Sequence, residues 1–243
     1  MTTLHGRVAL ITGASRGIGR ATARRLGREG ASLILVGRRR EALEPLRAEL
    51  EAAGSNAWGL AFDLADGAEG LVDAALELAG SLDILINNAG AYETGPVLEC
   101  SDASLRRHFE VNVFSPLALC QSAHAALRAS AHPVIVNVLS TLAHRPVPGT
   151  AAYAASKAAL LSLTRSLALE WAEDGIRVVG VSPGVVATEL HDRALLQAMA
   201  PQHPLGRVGE PEEIAEAILF LLSDASAWTT GSVLAVDGGI GLI

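Results

Sequence analysis

Tyr153 and Lys157 stand four residues apart in the run Ala151-Ala152-Tyr153-Ala154-Ala155-Ser156-Lys157-Ala158-Ala159, whose alanines favour a helix. At that spacing the two side chains share one helix face. A phenol that titrates near pH 10 is a poor acid at neutral pH, but an ammonium beside it stabilises the phenolate. The pair therefore suits general acid–base work, moving a proton to or from an alcohol oxygen. Ser140 closes the apolar run 133–139 and can offer a hydroxyl to the same oxygen. Tyr and Lys at this spacing also form ordinary surface pairs. What distinguishes this pair is that Lys157 is the only lysine in the chain, every other basic position in a Lys+Arg total of 19 being arginine.

A second constellation is Thr12-Gly13-Ala14-Ser15-Arg16-Gly17-Ile18-Gly19. Glycines let backbone approach a pyrophosphate, and a helix that starts here supplies free N–H groups and the positive end of its dipole. Gly13, Ser15, Arg16, Gly17, Ile18 and Gly19 are thus candidate dinucleotide contacts, although a glycine-rich turn also packs well on a sheet. The next apolar run ends Val36-Gly37-Arg38-Arg39-Arg40, with no acid before Glu41. An acid there would accept from the ribose 2′-OH of NAD. Arg38 and Arg39, with Arg16, fit a 2′-phosphate instead, so the expected cofactor is NADP(H). In an arginine-rich chain the same run also reads as a solvated loop. Asn112 precedes Pro116 by four residues. Proline has no N–H, so the Asn112 carbonyl is freed within a helix and can hold a water, or the helix simply kinks with Asn112 facing solvent.

The elements that must position these groups alternate. Apolar, β-branched runs at 7–12, 32–36, 57–62, 82–87, 133–139, 177–182 and 233–236 read as strands buried on both faces. Helical stretches lie at 17–29, 41–53, 67–79, 102–129, 151–173 and 211–223. This pattern predicts an α/β fold, a single-domain, doubly wound Rossmann arrangement with a seven-stranded parallel sheet. Ligands of such sheets bind beyond the carboxyl ends of the strands. The segment 184–208, rich in Pro, His and Gly, has weak periodicity and reads as a lid over a substrate. The 243 residues are 50% hydrophobic, 19% charged and carry a net charge of −7. Those values supply a large core and argue against a nucleic-acid or anionic-membrane surface. Cys100 and Cys120 form no metal or disulfide pattern, which fits a reduced, cytoplasmic protein with no metal and no membrane span.

Taken with Asn87-Asn88-Ala89-Gly90, Pro183-Gly184 and the closing Val236-Asp237-Gly238-Gly239, these motifs resemble the short-chain dehydrogenase/reductase family over nearly the whole chain. The resemblance implies Tyr153 as proton donor or acceptor, Ser140 as orienter of the substrate oxygen and Asn112 as holder of a relay water. Lys157 would bind the nicotinamide ribose while lowering the Tyr153 pKa. Asp63 would hold the adenine with Leu64 beside it, and Asn88, Ala89 and Gly90 would line the adenosine and pyrophosphate channel. Pro183, Gly184, Val186 and Thr188 would surround the carboxamide. The family also implies the sheet order 3-2-1-4-5-6-7 and a homotetramer, or a homodimer, built on helices 102–129 and 151–173. The expected activity interconverts a ketone and a secondary alcohol, with a small apolar substrate against Leu142, His144, Val185 and the lid. Members that reduce 3-oxoacyl groups on a carrier protein resemble this chain at 211–215 and 222–226. They dock the carrier through arginines where this chain has Ala131 and Asp174, with Arg128 and Arg177 as candidate substitutes. A nucleotide sensor without catalysis is the alternative of a different class. His144 could serve as a second acid but reads rather as a loop histidine without a catalytic role, and the same holds for His191 and His203 on the lid and for Tyr92 and Glu93 after the Asn-Asn-Ala-Gly loop.

Overall fold

The computed structural model describes residues 4–243. Seven parallel strands, β1 (Val8–Thr12), β2 (Ser32–Gly37), β3 (Ala57–Ala61), β4 (Ile84–Asn87), β5 (Val134–Val138), β6 (Arg177–Pro183) and β7 (Val233–Val236), form one sheet. Their order is β3-β2-β1-β4-β5-β6-β7, as expected. The strands β1, β4 and β5 are buried along their whole length, because helices cover both faces and leave no side of these strands in water. At the sheet edge β7 is part-exposed.

Two apolar layers flank the sheet. On one face Leu26, Leu33, Leu35, Ile214 and Ile218 join the strands to α1 (Gly17–Arg28) and α8 (Pro211–Leu222). On the other, Leu71, Leu119, Leu127 and Leu167 join them to α3 (Leu71–Ala79), α5 (Ser115–Ala129) and α6 (Ala151–Glu170). Each such leucine contributes roughly 1.5–3 kcal/mol by leaving water. The remaining helices are α2 (Glu44–Ala52), α4 (Asp102–Phe109) and α7 (Arg193–Met199). Chain order reverses beside β1, whose neighbours are β2 and β4. The carboxyl ends of β1 and β4 therefore border the crevice where ligands enter such sheets.

Three elements depart from the sequence expectation. The helix expected over 67–79 begins at Leu71, because Gly67 and Gly70 adopt φ of +107° and +74°. The single helix expected over 102–129 is two, α4 and α5, joined by a π-turn at Glu110–Phe114. Pro116 is the cause: with no N–H there the ladder shifts by one residue, and the Ser115 N–H reaches back five residues to the Glu110 carbonyl. The weakly periodic segment 184–208 contains α7, whose first turn is capped by Asp192 accepting from the Leu195 N–H at 2.7 Å.

Candidate active site

The glycine loop is held from β4. Thr12 Oγ1 accepts from the N–H groups of Asn88 and Ala89 at 2.9 and 3.0 Å. In return Asn88 Nδ2 donates to the carbonyls of Thr12 and Gly13 at 2.8 and 3.2 Å. The amide of Asn88 is thus spent on fixing the loop rather than facing the channel. A Cβ on Gly19 would run into the Gly13 carbonyl and that same amide, and one on Gly17 would meet Thr188 Cγ2 at 3.0 Å. Only glycine fits at either point. Arg16 precedes α1 without capping it by a side chain, so the first N–H groups of the helix remain available to an anion.

The Glu189 carboxylate lies beside Gly17 and pairs with Arg20 at 2.6 Å. Burial alone would raise its pKa, but the N–H groups of Glu189 and Gly17 and the Arg20 charge outweigh burial and hold it below the usual carboxylate range. A cleft of about 320 Å³ opens here between Arg20, Ala21, Thr188, Leu196 and Pro211, and none of Ser140, Tyr153 or Lys157 lines it. Ser15 and Ile18 are part-buried in the loop.

The ends of β2 and β3 lie side by side, with Gly37 opposite Ala61. Arg38, Arg39 and, across the crevice, Arg16 are exposed, and their side chains have no hydrogen-bond or ion-pair partner among the described residues. Asp63 is exposed and accepts from the Ala65 N–H at 3.1 Å. Leu64 is buried, and its carbonyl accepts from Ser115 Oγ at 2.7 Å, anchoring this corner to α5. The cradle, the uncapped helix start and the unpaired arginines fit a phosphorylated dinucleotide.

Ser140 follows β5 and faces α6. Its Oγ accepts from the Leu142 N–H at 3.2 Å and lies near enough to the Tyr153 phenol to lower its pKa. Lys157 sits one turn further along α6, 3% exposed, with Nζ 5.8 Å from the centre of the Tyr153 ring. Burial pushes Tyr153 up to about 12, against the lowering by Ser140, while burial alone takes Lys157 down to about 8. The expected depression of the Tyr153 pKa by Lys157 is therefore not present among the protein groups. Desolvation opposes both charges, and the ammonium is turned to the Val138 carbonyl at 2.7 Å.

Asn112 is fully buried, which excludes the solvent-facing alternative. Its side chain clamps the loop after β4, accepting from the Ala91 N–H at 2.8 Å and donating to the Ala91 carbonyl at 3.0 Å. It also donates to Ser156 Oγ at 2.9 Å. Those bonds occupy the amide, so only the main-chain carbonyl remains for a water. Gly90 lies against both Asn112 Oδ1 and Lys157 Nζ, within 3.5 and 3.8 Å of where its Cβ would be.

On the other side of the crevice Pro183 ends β6 and the Gly184 N–H donates to Val236 at 3.2 Å. Val186 is buried and bridges to Gly209, which carries Thr188 to the glycine loop. His203 is buried and accepts from the Val185 N–H at 3.3 Å, so its role is to brace this segment. His144 is exposed. Sequence reasoning missed Glu189, Ser156 and His108. Nothing marked Glu189, whereas the position of Ser156 beside Lys157 was a usable signal.

The carrier-docking substitutes are both committed elsewhere. Arg128 pairs with Asp174 at 3.0 Å, and Arg177 donates to the carbonyls of Leu221 and Thr229 at 2.9 and 3.3 Å. No group of His, Cys, Asp or Glu among the described residues could hold a metal ion, and no helix among them is long and apolar enough to cross a membrane.

A family model described as enoyl-(acyl carrier protein) reductase matches residues 13–241. The chain is 37% identical to gluconate 5-dehydrogenase of Gluconobacter oxydans, covering 98% of this chain and 96% of that one. It is 40% identical to cis-4-hydroxycyclohexanecarboxylate dehydrogenase of Sinomonas cyclohexanicum, covering 96% of each. Among solved structures, a short-chain dehydrogenase from Burkholderia cenocepacia in complex with NADP superposes with a TM-score of 0.93 at 34% identity, over 98% of both chains.

Proposed function

The chain belongs to the short-chain dehydrogenase/reductase family of oxidoreductases, and from that premise we propose that it interconverts a ketone and a secondary alcohol with NADP(H). The observation that carries the reading is Lys157, buried on the same face of α6 as Tyr153 with its Nζ 5.8 Å from the centre of that ring, and the Ser140 hydroxyl close by.

The dinucleotide, when bound, supplies or accepts the hydride. Gly13, Ser15, Gly17, Ile18 and Gly19 would hold its pyrophosphate, and Arg16, Arg38 and Arg39 its 2′-phosphate. Asp63 and Leu64 would flank the adenine, Ala89 and Gly90 the adenosine side, and Pro183, Gly184, Val186 and Thr188 the carboxamide. Ser140 orients the substrate oxygen by donating to it. Tyr153 gives that oxygen its proton in reduction and takes it back in oxidation. A phenol that burial holds near 12 stays protonated until charge develops on the substrate oxygen. Lys157 then favours the phenolate that proton transfer leaves. The Asn112 carbonyl, freed by Pro116, continues the proton path toward solvent through a water. The segment 184–208 serves as the lid over the substrate.

A homotetramer agrees with the groove between α5 and α6, lined by Leu117, Leu163, Leu167 and Trp171, which a second copy would cover. We assign the protein to the cytoplasm on its two unpaired cysteines. The deciding experiment follows NADPH oxidation at 340 nm over a panel of aliphatic and cyclic ketones. Turnover that Tyr153→Phe abolishes supports the reading, whereas tight nucleotide binding without turnover of any ketone would point to a sensor.

A further inference from the structure

Three loops converge above Tyr153, and each brings a ring or a strap to it. The loop after β5 is tied to the loop after β4 by the Gly95 N–H donating to the Gly149 carbonyl at 2.9 Å. The loop after β4 places Tyr92 edge-on to Tyr153, with ring centres 4.8 Å apart at 87°. The segment after β6 places His191 edge-on to Tyr92, at 5.7 Å and 86°.

Tyr92 is held from both sides along the backbone. Asn112 clamps the peptide groups of Ala91 before it, and the Glu93 N–H after it donates to His108 Nε2 at 3.1 Å. Its half-buried phenol, edge-on to the Tyr153 ring, is close enough to raise that group's pKa. Burial raises Tyr92 itself, which keeps it a neutral donor. His191 is half-buried, its Nδ1 is sealed from solvent, and that nitrogen has no hydrogen-bond partner. Burial lowers the His191 pKa against the opposing pull of Asp192, so the neutral ring, with one donor and one acceptor, is favoured. A buried polar atom without a partner is costly, and a ligand group that pairs with it recovers the loss.

We propose that Tyr92 and His191 receive a hydroxyl on the carbon next to the one that reacts, making α-hydroxyketones and vicinal diols the preferred substrate class. The inference rests on the ketone–alcohol reading above. Neither side chain is a permanent cation, so a hydroxyl, which gives and takes a hydrogen bond, matches them better than a carboxylate. Tyr92 is the ring adjoining Tyr153, so the group it meets is carried by the adjoining carbon. A site built to hydrogen-bond a hydroxyl discriminates strongly against the analogue lacking it, because its own polar groups are then left unpaired. This revises the wholly apolar substrate expected from the sequence.

The test compares 3-hydroxybutan-2-one with butan-2-one as substrates of the native protein, Tyr92→Phe and His191→Phe, each checked by circular dichroism. Both variants keep an aromatic edge and remove only polar atoms. The native ratio of kcat/KM should exceed about tenfold in favour of the hydroxyketone, and each variant should cut that ratio at least about threefold. An unchanged ratio in both variants, or a native ratio near one, overturns the proposal. If His191→Phe does not fold, Tyr92→Phe alone decides. A binding arm needs no turnover: with NADPH present, calorimetry compares butane-2,3-diol with butan-2-ol. Tighter binding of the diol that Tyr92→Phe removes supports the pair, and equal binding refutes it. If the native protein reduces neither of these ketones nor any other of the panel, the dehydrogenase reading fails by itself, and the calorimetry still settles whether Tyr92 and His191 bind a vicinal hydroxyl.

Discussion

Lys157 donates its ammonium to the carbonyl of Val138, 2.7 Å away at the end of β5. A charge 3% exposed with one carbonyl as partner is poorly compensated, and burial accordingly lowers its pKa to about 8 from 10.5. The sheet edge thus holds a cation that the fold itself does not favour.

The first prediction concerns stability. Between pH 8 and 10.5 the unfolded chain binds the lysine proton and the folded chain sheds it, so this residue's penalty is full below pH 8 and fades as pH rises through that window. Lys157→Met should abolish activity and yet stabilise the protein at pH 7, by about 1–2 kcal/mol after allowing for the unpaired Val138 carbonyl. Urea melts at pH 7 and pH 10 should show the advantage shrinking at the higher pH. A variant less stable than its parent at pH 7 would contradict this account.

Ser140→Ala and Tyr153→Phe should each cut turnover by about two to four orders of magnitude, Tyr153→Phe the more severely. Neither removes a contact of the glycine loop, so NADPH affinity, read by nucleotide fluorescence, should hold within a few-fold. A parallel fall in affinity and turnover for Ser140→Ala would mean the hydroxyl serves the nucleotide.

Cofactor choice should rest on Arg38 and Arg16. Each can form a charge-assisted bond worth roughly 1.5–3 kcal/mol, so the ratio of kcat/KM for NADPH over NADH should exceed about tenfold. Arg38→Ala should erode it more than Gly37→Ala, since a Cβ on Gly37 meets only the Leu43 side chain, at 3.1 Å, and removes no charge. Equal use of both dinucleotides by the native protein would overturn this assignment.

Asn112→Ala removes three buried bonds at once, two to Ala91 and one to Ser156. A loss of about 2–4 kcal/mol is expected, together with faster hydrogen exchange at Ala91 and its neighbours. Exchange confined to the region around Pro116 would instead assign Asn112 to the π-turn alone.

The two-layer core was legible because runs such as Val134–Val138, apolar at every position but Asn137, suit a parallel strand covered on both faces, while the strand order came with the family resemblance. That Tyr153 and Lys157 share a helix face was legible too, from i, i+4 spacing on an alanine-rich stretch, although that spacing alone equally suits a surface pair. What escaped depends on contacts distant in sequence. Asn88 reads as a channel residue until its amide is seen on Thr12 and Gly13. Glu189 carries no signal until the chain folds it back onto Gly17, some 170 residues earlier in sequence order. The short helix Arg193–Met199 has no buried residue, so no hydrophobic period could announce it.

The seclusion of Lys157 has an analytical use. The folded chain presents essentially no lysine to an amine-reactive reagent, and the unfolded chain presents one. Each opening of the region around β5 and α6 would add one permanent mass increment at a known position, beyond the increment that the α-amino group takes in every molecule. Intact-mass spectrometry over time then measures how often this one site breathes, without isotopes, tags or turnover, and the same trace taken with a bound nucleotide reports how far the ligand stills it.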